Sequence, residues 1–287
     1  MHLICAWRSF ATLARLPALL AVLNVALIQS TSANAEPAGL VSDYTPGSQV
    51  VVDHATWDKL LKTYVKAGAD GLNRVDYRAF QAAGQQDLKT YIARLEKTDL
   101  TVLDRSEQFA LLANLYNAKT IDIVLDKYPV KSIKDISLGG GLIASIKGGP
   151  WKAKVLNVAG MALSLDDIEH AILRPVFKDA RVHYAVNCAS VGCPNLQTQA
   201  LTGGQLNAQL DASARAFINH PRAVTVTPDG IAVSSIYKWF KEDFGDSDEG
   251  VLKHLRKFAN PELAAKLKSA TSLDSYRYDW SLNDIAR

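Results

Sequence analysis

The segment Arg181-Val182-His183-Tyr184-Ala185-Val186-Asn187-Cys188-Ala189-Ser190-Val191-Gly192-Cys193-Pro194 gathers two thiols, an imidazole, a carboxamide and a hydroxyl. Groups of these types at this spacing can serve nucleophilic chemistry, a disulfide crosslink or a metal. As a nucleophile, Cys188 needs a base, because the thiolate is the attacking species. His170 and His183 are the candidate bases, and Asn117 or Asn187 can orient the imidazole or stabilise an oxyanion. If the chain runs extended from His183, Cys188 lies about 15 Å away at ~3.3 Å per residue, so either the loop folds back or His170 serves. Ser190 is a lesser nucleophile candidate, because no glycine stands two residues before it as a nucleophile elbow requires.

As a pair, Cys188 and Cys193 can close a disulfide, which in so short a loop contributes about 2 kcal/mol and shapes the loop more than it holds the domain. Zinc with Cys188, Cys193, His170 and His183 as ligands is permitted by spacing, but no second close ligand pair supports it, and no metal is expected. No cofactor is expected either: the glycines at 139 to 141 lack the Gly-Lys-Ser/Thr ending of a phosphate loop. A non-catalytic alternative is a binding or scaffold protein in which Asn114, Asn117, Glu169, Arg174, Asn187 and Ser190 contact a peptide or small polar ligand. Arg174 would then suit a carboxylate.

These groups need elements to hold them. Val182, Tyr184 and Val186 alternate with His183, Ala185 and Asn187, the period of a strand, with Cys188 to Pro194 as the loop beyond it. Ser164-Leu165-Asp166-Asp167 starts a helix with a hydroxyl cap and early carboxylates, and Pro175 ends it at Leu173 or Arg174. That helix places His170 and Arg174 one turn apart. Between Ser106 and Lys127 the apolar residues surround the helix, so it is buried nearly all round and Asn114 and Asn117 need partners. Both amides either brace a loop or line a polar cavity. Trp57, Leu60, Leu61 and Tyr64, then Leu88, Ile92 and Leu95, mark two packing helices. Pro228-Asp229-Gly230 turns a hairpin between residues 224–227 and 231–233, and helices follow over 206–217, 236–243, 251–258 and 262–269. His54 sits near a helix start, His220 and His254 read as exposed, and Asp243 reads as a packing or capping residue.

Residues 1 to 35 have the parts of a secretory signal: Arg8 and Arg15, an apolar run from Leu16 to Ile28, and the small-residue end Ala33-Asn34-Ala35. Cleavage there removes Cys5, leaves two of the three cysteines and lowers the formal charge from +3 to +1. Such a balance offers no electrostatic case for nucleic acid, and after cleavage no membrane association is expected. The expected location is the periplasm or the exterior. Residues 36–52 read as a flexible lead-in and 53–287 as one globular domain.

Asn114-Leu115-Tyr116-Asn117-Ala118, Leu163 to His170 with Leu173-Arg174, His183 to Pro194, and Ser235 to Phe240 with Asp243-Phe244 together resemble the domain of unknown function 547, over roughly Asp53 to Phe258. The resemblance implies no defined activity. The family includes exported bacterial proteins and eukaryotic fusions to leucine-zipper or glutaredoxin-like regions, a pointer to thiol or peptide chemistry. Its pattern falls on Asn114, Asn117, Glu169, His170, Arg174, His183, Asn187, Cys188, Ser190 and Cys193. Helices outnumber strands without alternating with them, so the expected fold is α+β, a mostly helical single domain with a small antiparallel sheet. The leading functional expectation is a cysteine-dependent hydrolase or acyltransferase acting on a peptide-like substrate.

Overall fold

Helix α1 (Ala55–Tyr64) buries Trp57, Leu60 and Leu61 along one stripe and passes directly into a hairpin of β1 (Val65–Ala67) and β2 (Asn73–Val75). Helices α2 (Tyr77–Ala83) and α3 (Gln85–Leu95) follow, and both pack on α4 (Arg105–Lys127). This is a computed structural model, which describes residues 36–138 and 149–286; the expected signal segment and the glycines at 139 to 141 lie outside the described residues. Asp104 caps α4 by accepting from the backbone N–H groups of Ser106 and Glu107, and the helix is buried on all sides as its unstriped composition requires.

A hairpin of β3 (Leu156–Val158) and β4 (Met161–Leu163) leads to a π-helix at Asp167–Leu173. Its start is the expected capping box: Ser164 Oγ accepts from Asp167 N at 3.1 Å, and Asp167 Oδ2 accepts from Ser164 N at 2.6 Å. Pro175 does not end the helical run. The widened turn, in which Arg174 N donates to Glu169 O, resets the register, so Pro175 falls in the first turn of α5 (Arg174–Phe177), where no N–H is needed.

The expected strand at residues 182–187 is instead a helical turn, α6 (Val182–Ala185), entered through Asp179, whose carboxylate accepts from Arg181 N. Alternation marks a strand only when one face is solvated. Here all of residues 182–187 are buried, so the pattern carried no directional information.

Beyond α7 (Leu206–Ile218), β5 (Val224–Thr227) and β6 (Gly230–Ser234) form the expected hairpin. The predicted helix over 236–243 splits into α8 (Ile236–Trp239) and a 3-10 turn at Lys241–Phe244. Helices α9 (Asp248–Phe258) and α10 (Pro261–Leu267) precede β7 (Ser275–Arg277), which pairs in parallel with β6. The architecture is mostly helical α+β with small sheets, antiparallel apart from that one pairing. Among the described residues, no helix is long and apolar enough to cross a membrane.

Two apolar clusters form the interior. The larger takes α1 to α4, the π-helix and the start of α7; the smaller takes Tyr184, the end of α7, the β5–β6 hairpin, α8 and α9. The segment at 36–52 is not a free lead-in. Val41 is in the larger core, Gln108 donates to Asp43 O, and Thr45 N and Ser48 Oγ bond to Leu103 O and Val102 O.

Candidate functional site

A cavity of about 220 Å³ opens where the two apolar clusters meet, with Tyr116 and Val186 from one and Ile236 and Phe240 from the other. Cys188, Cys193, His170, His183 and Glu169 all line it. The helical turn of α6 is what makes this possible, since an extended run would have carried His183 away from the loop.

The thiol loop is held from three directions. Asn117 Nδ2 donates to Ala185 O at 2.8 Å, and its Oδ1 accepts from Asn187 N at 2.8 Å. Asn187 in turn accepts from Ala189 N and donates to Pro194 O at 2.7 Å, tying the two ends of the loop together. The C-terminal segment lies along its outer edge, with Val191 N and Gly192 N donating to Ser281 O and Asp279 O at 2.8 Å each. A side chain at Gly192 would meet the Asp279 backbone at 2.8 Å, which explains the glycine. Ala189, directly after Cys188, takes a left-handed backbone with φ 60°, a strained conformation for a residue with a Cβ.

Within this frame the two sulfur atoms stand 2.6 Å apart, so the two cysteines are in direct contact, as a bridge between them would require. Sulfurs ligating one tetrahedral zinc at ~2.3 Å would stand about 3.8 Å apart, so this spacing does not match a zinc pair. Cys188 Sγ also contacts Ser190 Oγ and Tyr278 OH, each at 3.1 Å, and Cys188 N donates to Cys193 Sγ at 3.0 Å. Burial pushes the Cys188 thiol well above its ordinary value, and a neighbouring Cys193 thiolate reinforces the shift. Burial works the same way on Cys193, yet the Cys188 thiol, Tyr278 hydroxyl and Cys188 peptide N–H all donate to it and leave it below the ordinary value. The two thiols are thus shifted in opposite directions, Cys193 down and Cys188 up, and Cys188 is the more exposed residue of the two.

His183 is 2% exposed, lies flat against Phe240 at 4.4 Å, and bonds through Nε2 to Asp243 Oδ2 at 2.7 Å. A carboxylate on Nε2 fixes the proton there and leaves Nδ1 as the basic nitrogen, 3.9 Å from Glu169 Oε1. Asp243 is itself fixed by Arg174 Nε at 2.5 Å. Although burial raises its pKa, the bonds from His183 and Arg174 hold this carboxyl down at about 2. Asp243 is thus the positioning partner of the histidine, not the packing or capping residue expected. His170 is half-exposed at the rim, 3.9 Å from Asp166 and 4.0 Å from Glu169.

Several expected binding residues point elsewhere. Asn114 is fully engaged with the Leu201 backbone, donating to its carbonyl and accepting from its N–H, so it and Asn117 brace loops and do not line the cavity. Asn187 does the same for its own loop. Ser190 is buried behind Cys188 and bonds to Tyr278, so it supports the thiol and does not face the cavity. Arg174 does not receive a carboxylate ligand; Glu242 and Asp243 of the protein occupy it. Of the remaining histidines, His54 stands at the start of α1 as expected and is buried against Tyr91 OH at 2.7 Å. His220 and His254, expected to be exposed, are partly buried: His254 Nε2 bonds to Tyr184 OH at 2.9 Å and His220 Nε2 to Asp70 O.

The aromatic wall was missed. Trp151, Trp239, Phe240, Tyr278 and Trp280 line the cavity, with Tyr278 and Trp280 rings 4.6 Å apart and Trp239 4.8 Å from Tyr278. The density of rings in Tyr276-Arg277-Tyr278-Asp279-Trp280 was the available signal.

Residues 100–218 match the family model described as "Protein of unknown function, DUF547", which bears out the resemblance over the amide-bearing helix, the Glu169-His170 block and the thiol loop. The block from Ser235 to Phe244, which supplies Asp243, lies outside the matched span. No curated protein and no solved structure matches.

Proposed function

For a chain carrying the domain of unknown function 547 over residues 100–218, a family description that names no activity, we propose an exported thiol-dependent acyl hydrolase or acyltransferase. Its substrate would be peptide-like, and Cys188 is its nucleophile. One observation carries the reading: Cys188 and an Asp243-held imidazole face the same aromatic cavity. The signal-like start at residues 1 to 35 supports export.

In the first step Cys188 Sγ bonds to the substrate carbonyl carbon while its proton passes to His183 Nδ1. The tetrahedral species then collapses, breaking the bond to the leaving amine or alcohol, which takes that proton from His183. Water, or a second acceptor, attacks the thioester with His183 as base and releases the acyl group and the free thiol. Asp243 stabilises the imidazolium formed midway, and Arg174 keeps Asp243 ionised. Tyr278, whose hydroxyl burial pushes well above the ordinary value, remains a donor beside the sulfur throughout.

Reduced protein treated with p-nitrophenyl acetate should release p-nitrophenol and carry an acetyl group that peptide mapping places on Cys188. Cys188→Ala should lose both. An adduct located only on lysines, or full turnover by Cys188→Ala, would falsify this assignment.

A second reading is favoured by the 2.6 Å sulfur contact: thiol–disulfide exchange, in which one thiol attacks a substrate disulfide and the other resolves the mixed disulfide. Its mark would be turnover of a peptide disulfide that Cys188→Ala and Cys193→Ala both abolish. Under the acyl-transfer reading Cys193→Ala retains acetylation at Cys188.

A further inference from the structure

The charge balance of the cavity is one-sided. Among the described residues its lining includes two carboxylates, Asp166 and Glu169, and neither a lysine nor an arginine. The Arg174 guanidinium is engaged by Glu242 and Asp243 and lies over the lining residue Phe240, 4.7 Å from its centroid. Glu169 is buried, bonds to the Tyr116 hydroxyl and keeps an oxygen about 4 Å from both imidazoles. Asp166 sits at the open side, with Lys154 bonded to its neighbour Asp167 instead. Burial raises the Asp166 carboxyl although His170 and Lys152 pull it down, so a further positive group beside it would favour its charged form.

The same cavity is lined by Trp239, Tyr278 and Trp280, and aromatic faces attract cations. One ammonium is already drawn to this wall: Lys134 Nζ lies 4.9 Å from the centroid of Trp280. The volume of about 220 Å³ is below the span of roughly 300 to 1,000 Å³ typical of drug-sized ligands, and suits a single side chain.

We propose that the cavity selects substrates bearing an ammonium group on an aliphatic stem, a lysyl side chain or the free amine of a peptide. Asp166 and Glu169 receive the ammonium, and the wall of Trp239, Phe240, Tyr278 and Trp280 holds the stem. The proposal rests on the acyl-transfer reading only in placing the substrate carbonyl near Cys188; charge selection itself needs no reactive thiol.

Binding is therefore tested on the Cys188→Ala protein, by quenching of tryptophan fluorescence. The probes are Nα-acetyl-lysine methylamide, its Nε-acetylated form, Nα-acetyl-glutamate methylamide, and glycinamide for the free-amine source. The lysyl probe, glycinamide or both should saturate the signal at concentrations at least tenfold below those of the neutral and anionic probes. Asp166→Asn should weaken that binding about tenfold, and Glu169→Gln should do the same if it folds. Equal or tighter binding of the acetylated or glutamyl probe, no saturable binding by any probe, or unchanged affinity in Asp166→Asn would overturn the proposal. Because the nucleophile is absent from this protein, none of these outcomes can arise from a failure of acyl transfer.

Discussion

Around the sulfur pair, each group has a distinct position to hold. Fixed donors that point at Cys193 lower its thiol, whereas burial raises that of Cys188, which under the proposed mechanism must lose its proton when a substrate arrives. The imidazole proposed to accept that proton is held by Asp243, across 60 residues of sequence. Asp243→Asn would leave Nε2 without its carboxylate and favour the wrong tautomer. It should slow acetylation of Cys188 about 100-fold or more while leaving the affinity for unreactive probes unchanged. Stopped-flow release of p-nitrophenol checks the rate, and fluorescence titration checks the affinity. The thiols and histidines were legible from residue type and proximity. Asp243 was not, because one carboxylate among the five between Glu242 and Glu249 looks like a cap until the fold brings it back onto His183.

At the level of elements, the amides of α4 do the positioning. Asn117 bonds to the backbone on both sides of Val186, at Ala185 and Asn187, where the helical turn passes into the thiol loop. Asn117→Ala leaves two buried backbone groups unpaired and should destabilise the protein by about 2 to 4 kcal/mol, read from urea unfolding. The effect should exceed that of an alanine at exposed Asn207. That α4 is buried all round followed from its composition, and the need for partners followed from that burial. The identity of those partners did not, because they are backbone groups of loops. The strand expected at 182–187 failed for a related reason: a period-2 pattern distinguishes faces only where one of them meets water, and α6 has none.

Over the whole molecule, the site is a seam between two apolar clusters, closed along one side by the chain's C-terminal segment. The mostly helical class was readable from apolar periodicity. The parallel addition of β7 to β6, and the return of the segment carrying Tyr278 and Trp280, depend on long-range pairing that no local pattern encodes. The same tight interior governs the response to acid. Burial, reinforced by nearby positive charge, lowers His54 and His254 to about 4 from an ordinary value near 6.5. Between those values the unfolded chain takes up protons that the folded chain refuses. Stability should therefore be full above about pH 6.5 and fall as the pH drops toward 4, by up to ~3 kcal/mol per ring. Urea midpoints at pH 7.5 and 5 should differ accordingly, and His54→Gln should reduce the difference. The convergence of Cys188 with an Asp243-held His183 is tested most directly by the pH dependence of Cys188 acetylation in wild-type and His183→Ala proteins. The variant should be about 100-fold slower at pH 7 and recover as hydroxide replaces the imidazole at high pH; superimposable profiles would contradict the account.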